Sequence, residues 1–255
     1  MEAGDSYPVF FLFRNFFIFV KKKLDKELLH YFTFALSIDC VVFGFDGTDL
    51  KILLIERNEI PFKNQWALPG DLLDPKEDLD DSVNFILKKL TGLSDLFFEQ
   101  VETFGDINRH PLGRVITTSY FTLVNINKYE VNPSSFASKA KWWKIEDANE
   151  LKLAFDHNLI LDKCFKKLQD SIRTRPIGFE LINHKFTLTE LQTLYEAILN
   201  IKLDTRNFRK KILQKKFLRE TDTLQSNVSH RPAKLYTFDI DRYELLKKQG
   251  FSFEV

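Results

Sequence analysis

The sequence predicts an α+β chain in two parts, and three observations carry that expectation. From Ser37 to Ile172, apolar β-branched runs alternate with amphipathic helical stretches. Beyond Arg175-Pro176-Ile177-Gly178, the best linker candidate, the pattern changes to two capped helices followed by a hairpin. The charge divides at the same place. Residues 1–174 carry 22 Lys+Arg against 26 Asp+Glu, a net −4, while residues 175–255 carry 15 against 10, a net +5. The near-neutral total, formally +1, would by itself argue against a nucleic-acid binder, and the asymmetry removes that objection. The expected boundaries are an N-terminal extension over 1–30, a first domain over 31–174 and a second over 175–255.

Composition fits an ordinary globular chain: 255 residues, 44% hydrophobic and 29% charged, long enough for a substantial core. Two cysteines, Cys40 and Cys164, exclude a disulfide scaffold and a four-thiolate zinc site. Phenylalanine is in excess at 26, and six of these fall between Phe10 and Phe19. The run Pro8–Val20, closed by Lys21-Lys22-Lys23, starts acidic, is interrupted by Arg14 and Asn15, and lacks a small-residue cleavage site. It therefore does not read as a signal peptide, and it is shorter than the roughly 20 residues of a spanning helix. It reads as an arm or as the product of a misassigned start, with a membrane-surface or dimer-stapling helix as the alternative. The cytoplasm is the expected location, with no membrane partner.

The elements follow in order. Ser37–Phe45 and Lys51–Arg57 are apolar strands separated by the turn signal Asp46-Gly47. Asp78–Leu90 has helical periodicity, with Leu79, Val83, Ile86, Leu87 and Leu90 on one face and Gly92 as its stop. Val115–Ile126 is a long strand and Lys141–Ile145 a short one. Asp156 is placed to cap a helix to about Ile172. In the second part, Thr187-Leu-Thr-Glu190 has the capping-box form, opening a helix to about Asn200 that buries Leu188, Leu191, Leu194, Tyr195 and Ile198. After Ile201–Leu203, Asp204 caps a second helix to about Lys216. Phe217–Leu224 and Lys234–Phe238 then form a hairpin around the loop Gln225–Ala233. Helix, tight turn, basic helix and hairpin make a winged helix-turn-helix.

The second of these helices is the candidate reader of double-stranded DNA. Arg206–Arg219 holds seven basic residues and no acidic one. Phe208 and Ile212 point inward, while Arg206, Lys210 and Gln214 point the opposite way with Asn207 beside them. Arg pairs bidentately with guanine and Asn with adenine, so Arg206 and Asn207 suit base edges near the start of a recognition helix. Arg209, Lys211, Lys215 and Lys216 suit phosphates. The wing loop adds His230, Arg231 and Lys234. A solvated basic face is the alternative reading.

The stretch from Gly70 through Glu77 to Lys88-Lys-Leu-Thr-Gly92-Leu93 resembles the Nudix box, G-x5-E-x7-R-E-U-x-E-E-x-G-U, aligned on Gly92 with Gly70 one residue early. The likeness extends over roughly Phe32–Ile172 and implies a Nudix-like α/β/α sandwich with a mixed sheet. The chemistry does not follow. The core of the box reads Phe85-Ile86-Leu87-Lys88-Lys89-Leu90, so three metal-binding carboxylates and the orienting Arg are lost. Glu77 is the only retained box carboxylate. No metal, cofactor or catalytic residue is expected; a shifted site from Asp71, Asp74, Glu77, Asp78, Asp80 and Asp81 is the alternative, as is a hydrolase of ADP-ribose or a related diphosphate.

A degenerate box before a winged helix is similar to the bacterial Nudix-related transcriptional regulators, which control NAD biosynthesis in one branch and arabinose or related sugar use in another. Ile38–Phe45, Phe104–Arg109, Phe155-Asp-His157, Pro176–Phe179 and Arg206–Lys210 look most like the sugar branch. The resemblance implies a homodimeric repressor of carbohydrate catabolism whose first domain senses a sugar or ADP-ribose-like effector; a regulator of NAD metabolism is the alternative. Candidate effector residues are Arg57, Trp66, Asp106, Arg109 and Arg114, Trp66 offering a flat apolar face and the others partners for hydroxyls. A buried structural Trp and surface ion pairs are equally good readings of these residues. Asp39, a carboxylate in an apolar strand, needs a partner or a function. Cys40, Cys164 and His157 read as structural.

Overall fold

The computed structural model describes residues 33–94, 96–226, 231–249 and 253. The N-terminal arm of the sequence reading and His230 lie outside these residues. Residues 36–255 form one compact unit.

The first strands run β1 (Ala35–Phe45), β2 (Leu50–Arg57), β3 (Trp66–Ala67) and β4 (Gly70–Leu72), and helix α1 spans Leu79–Thr91. Then come β5 (Phe98–Phe104), β6 (Val115–Asn125), β7 (Ala137–Lys144), the short α2 (Ile145–Glu150) and the long α3 (His157–Thr174). Among the described residues these seven strands make one mixed sheet with central order β3-β2-β1-β6-β5. β4 pairs with β1 and β7 with β2. Gly92 ends α1 in the left-handed region at φ 80°, where a residue without Cβ carries no steric cost.

β1 is apolar apart from Ser37 and Asp39 because both of its faces are covered. Ile38, Cys40 and Val42 pack with Val83, Ile86, Leu87 and Leu90 of α1. Val41, Phe43 and Phe45 turn the other way, toward Ile160, Leu161, Cys164 and Leu168 of α3. This gives the α/β/α sandwich expected from the sequence. Burying each such side chain contributes about 1.5–3 kcal/mol.

The segment read as a linker is instead a packed 3-10 turn, Pro176–Leu181. A Cβ on Gly178 would lie 3.0 Å from Ile172 Cδ1 and 3.3 Å from Leu194 Cδ2, so helix and turn touch there. The second part follows as α4 (Leu188–Leu199), α5 (Thr205–Gln214), β8 (Leu218–Leu224), β9 (Lys234–Phe238) and α6 (Ile240–Lys248). Both halves of the Thr187/Glu190 capping box form, at 3.1 and 2.6 Å. The α5 helix ends at Gln214 rather than Lys216, because Lys216 takes a left-handed φ of 59°. Rings of Phe179, Phe186, Phe217, Phe238 and Tyr243 interlock in this region, so part of the phenylalanine excess serves the core. That core is continuous with the α3 side of the sheet. Two polar ties reinforce the join: Gln169 Nε2 donates to the Ile198 carbonyl at 2.9 Å, and Asn125 Nδ2 to Asn183 Oδ1 at 3.1 Å.

Candidate functional site

A cavity of about 240 Å³ opens beside β1, with Asp39, Arg57, Arg109, His110, Phe155 and His157 in its wall. Its organising feature is the carboxylate that the sequence singled out. Asp39 is buried and accepts from Thr117 Oγ1 at 2.8 Å and from Arg109 Nη2 at 3.3 Å. His157 Nδ1 accepts the Leu68 backbone N–H at 2.9 Å, so in the neutral ring Nε2 carries the proton and faces Asp39 Oδ1 at 3.3 Å. Burial would push the Asp39 carboxyl up, but His157 and Arg109, with the Thr117 hydroxyl, outweigh it and hold the group below the usual carboxylate range.

Arg109 is the hinge of this network. Its side chain is 4% exposed, and it makes a side-on bidentate pair with Asp156, Nε to Oδ2 at 2.9 Å and Nη2 to Oδ1 at 2.7 Å. The sequence offers Asp156 as a helix cap. It occupies the N-cap position of α3, yet its side chain makes no cap bond, because the carboxylate is taken by Arg109. Gly70 allows the approach of β4 to this cluster: a Cβ there would lie 2.5 Å from the Ile38 carbonyl and would collide with Asp39 Oδ1.

Of the five effector candidates, Arg57 and Arg109 line the cavity. Arg57 donates to the Pro61 carbonyl at 3.0 Å and lies over the Phe136 and Phe155 rings at 5.1 and 5.2 Å. Trp66, Asp106 and Arg114 are elsewhere. Trp66 packs edge-on against Trp143 at 5.3 Å on the core side, which fits the structural reading of this residue. Asp106 caps its own loop through the Asn108 N–H at 2.7 Å, and Arg114 donates to the Gly105 carbonyl at 2.6 Å. His110, stacked on Phe155 at 5.1 Å, is a cavity residue that the sequence reading missed. His157, read as structural, also reaches the wall. The two thiols are buried, and burial pushes Cys164 up to about 12 and Cys40 well above its ordinary value.

The residues at the Nudix-box positions do not fit a divalent metal. Ile86 and Leu90 are core residues, 3% and 0% exposed, and Lys89 forms an ion pair with Asp71 at 2.9 Å. Glu77 accepts from Ser82 Oγ at 3.0 Å, and Asp74 caps the Lys76 N–H at 2.9 Å. Among the described residues no group of three or more His, Cys, Asp or Glu is arranged to hold a metal ion.

The second candidate surface is the outer face of α5. Asp204 caps it, accepting the Asn207 N–H at 2.8 Å. Its angle to α4 is fixed by a polar clamp. Gln192 Nε2 donates to Glu196 Oε1, the Leu203 carbonyl and Thr205 Oγ1 at 2.9, 3.0 and 3.2 Å, and Glu196 Oε1 also accepts the Leu203 N–H at 3.0 Å. Phe208 and Ile212 are buried, while Arg206, Asn207, Arg209, Lys210, Lys211 and Gln214 are exposed. Among the described residues, no acid lies within ion-pair distance of Arg206, Lys210 or Lys211, leaving these cations available to an anionic partner. Arg209 donates to Thr189 Oγ1 at 3.0 Å, Lys215 Nζ lies 5.7 Å over the Phe253 ring, and Lys234 pairs with Glu220 at 2.5 Å. Arg231 is exposed in the wing. No helix among the described residues is long and apolar enough to cross a membrane.

Comparison with known proteins agrees with this architecture. The NUDIX domain model matches residues 33–164 and the NrtR DNA-binding winged helix domain model matches residues 178–238. An Acinetobacter baylyi protein named ADPR responsive transcriptional repressor NtrR is 35% identical over 212 residues, covering 82% of this chain and 84% of the relative. The crystal structure of Shewanella oneidensis NrtR with a 27mer DNA superposes with a TM-score of 0.70 at 27% identity, covering 86% of this chain and 97% of that one. The NUDIX domain of the same Shewanella protein, solved with ADP ribose, gives 0.53 at 27% identity, covering 59% and 97%. These matches overturn the expectation of a sugar-branch regulator of carbohydrate catabolism: the relative sharing most of the chain is named for its response to ADP-ribose. The motif fragments that suggested the sugar branch lie in the shared fold, and the Asp39, Arg109 and His157 they contribute to the cavity do not by themselves distinguish a sugar from ADP-ribose. With its Nudix domain and its winged helix each matched, the chain belongs to the Nudix-related transcriptional regulators of the NrtR type.

Proposed function

We propose that this protein is a cytoplasmic, homodimeric repressor of NAD metabolism that grips a double-stranded DNA operator through α5 and the wing and releases it when an ADP-ribose-like effector occupies the cavity beside β1. The observation that carries the reading is the pairing of two features in one compact unit: a cavity that places Arg57 and Arg109 among the carboxylates Asp39, Glu59 and Asp71, and a recognition helix whose outward Arg206, Lys210 and Lys211 lack ion-pair partners among the described residues. The two guanidiniums offer a diphosphate charge-assisted donors that a neutral sugar does not need, and unpaired cations suit a phosphate backbone. The solved relatives carrying DNA and ADP ribose support both halves. In this reading Arg206 and Asn207 meet base edges, Gln214 lies farther along the same face, and Arg209, Lys210, Lys211, Lys215, Arg231 and Lys234 approach phosphates. The first domain binds its ligand without hydrolysing it.

Calorimetric titration tests the effector half. ADP-ribose binds the full chain, arabinose does not, and Arg57→Ala weakens the ADP-ribose isotherm. A wild-type isotherm with arabinose and none with ADP-ribose overturns the reading.

A further inference from the structure

The box helix and the cavity together pose a charge problem. A Nudix hydrolase meets the charge of a diphosphate with a divalent cation held by carboxylates. Here two of those positions, Ile86 and Leu90, are sealed into the core, and the third, Lys89, is itself a cation bound to Asp71. If the effector carries a diphosphate, as the proposed function holds and on which this inference rests, its charge must be met by something else.

Arg109 has the geometry for that task. Asp156 occupies its Nε/Nη2 edge, while Nη1 has no hydrogen-bond partner among the described residues, and the side chain borders the cavity. A guanidinium only 4% exposed, gripped along one edge and with Nη1 unpartnered among the described residues, presents fixed donors to a ligand and loses little freedom when the ligand arrives. The contact with Asp39 is the longer one, 3.3 Å against 2.7 Å to Asp156, so an incoming oxyanion competes with Asp39 for Nη2 and leaves the Asp156 grip intact. Arg57 adds a second cation on the same wall, which also carries the carboxylates Asp39, Glu59 and Asp71. His110 registers the local field: burial, with Arg109 and Arg57, lowers its pKa.

We propose that Arg109, positioned by Asp156 and assisted by Arg57, reads the diphosphate of the effector, and that this site takes a diphosphate ester without a divalent metal. Asp156 is the positioning residue. It also begins α3, which packs against α4 through Gln169, so the residue that aims the guanidinium stands at the head of the helix shared by both domains.

The experiment is calorimetric titration of the full chain with ADP-ribose, once in EDTA and once in Mg²⁺. Equal affinity is expected in the two buffers. Arg109→Lys, which keeps the charge and loses the fork, weakens binding about tenfold. Asp156→Asn weakens it as well, and Asp156→Glu, which restores the carboxylate, recovers part of the loss. Inorganic pyrophosphate competes with ADP-ribose for the wild type, and more weakly for Arg109→Lys. Binding that requires Mg²⁺, or native affinity in both Arg109→Lys and Asp156→Asn, overturns the inference while leaving ADP-ribose as the effector. No wild-type binding in either buffer overturns the functional reading itself.

Discussion

Lys89 Nζ sits 2.9 Å from the Asp71 carboxylate, joining the box helix to strand β4 across the place where a Nudix hydrolase would gather its metal. The pair neutralises Asp71, and the neighbouring box positions Ile86 and Leu90 face the core. The helix covers the sheet, and these two box positions serve its packing.

Incubation of the protein with ADP-ribose and Mg²⁺ or Mn²⁺, followed by chromatography of the products, is therefore expected to show the nucleoside diphosphate sugar intact. Glu77→Gln should change nothing, since Glu77 holds Ser82. Turnover abolished by Glu77→Gln would contradict this account.

On DNA, Arg206→Ala should cost about 1–3 kcal/mol and relax the preference at one base pair, whereas Lys211→Ala should weaken all sequences alike and lower the salt slope by about one. Gel-shift titrations at several salt concentrations, with the promoter duplex and single-base variants, separate these outcomes.

Removal of the capping hydroxyl by Thr187→Ala should destabilise the chain by about 1 kcal/mol, a fall in Tm of roughly 2–4 °C for a chain of this size. Glu190 answers the Thr187 N–H at 2.6 Å, so Glu190→Ala should add a further loss that is not additive with the first. Thermal unfolding of the two single variants and the double variant checks both statements.

Asp39→Ala leaves Arg109 with Asp156 alone and removes the partner of His157; breaking a buried pair of this kind costs about 3–5 kcal/mol. The sign of the pH effect follows from the lowered carboxyl. Its contribution is fully present above the unfolded value near pH ~4 and is lost as the pH falls through the lower folded value. Urea unfolding across the acid range should show wild-type stability falling toward the variant's; a constant gap down to the lowest pH would contradict the assignment.

The local pattern told much of this story in advance. Period-two and helical spacing located β1, β2, β6, α1, α3, α4 and α5, and the Thr187/Glu190 and Asp204 caps formed as their residue types require. Asp39 announced itself as a carboxylate in an apolar strand. Its partners did not, since Arg109, Asp156 and His157 lie 70 or more residues away along the chain and meet only when the sheet closes. Strand β5, Phe98–Phe104, was missed because its residues are mostly half-buried or exposed, and alternation is weak in so polar a run. The C-terminal α6 escaped for a similar reason, with Tyr243 as its one described buried residue. Trp66 was ambiguous in sequence: an aromatic can stack on a sugar or on another tryptophan, and only the fold puts Trp143 beside it. The Gln192–Glu196 clamp that sets α5 was invisible for lack of any signal beyond two polar residues on a helix.

The most direct test of the central claim is fluorescence anisotropy of a labelled promoter duplex with the full chain, titrated with ADP-ribose and, separately, with arabinose. The account predicts a salt-sensitive complex that dissociates as ADP-ribose is added and is indifferent to arabinose. A complex that survives saturating ADP-ribose, or that only arabinose dissolves, would contradict it.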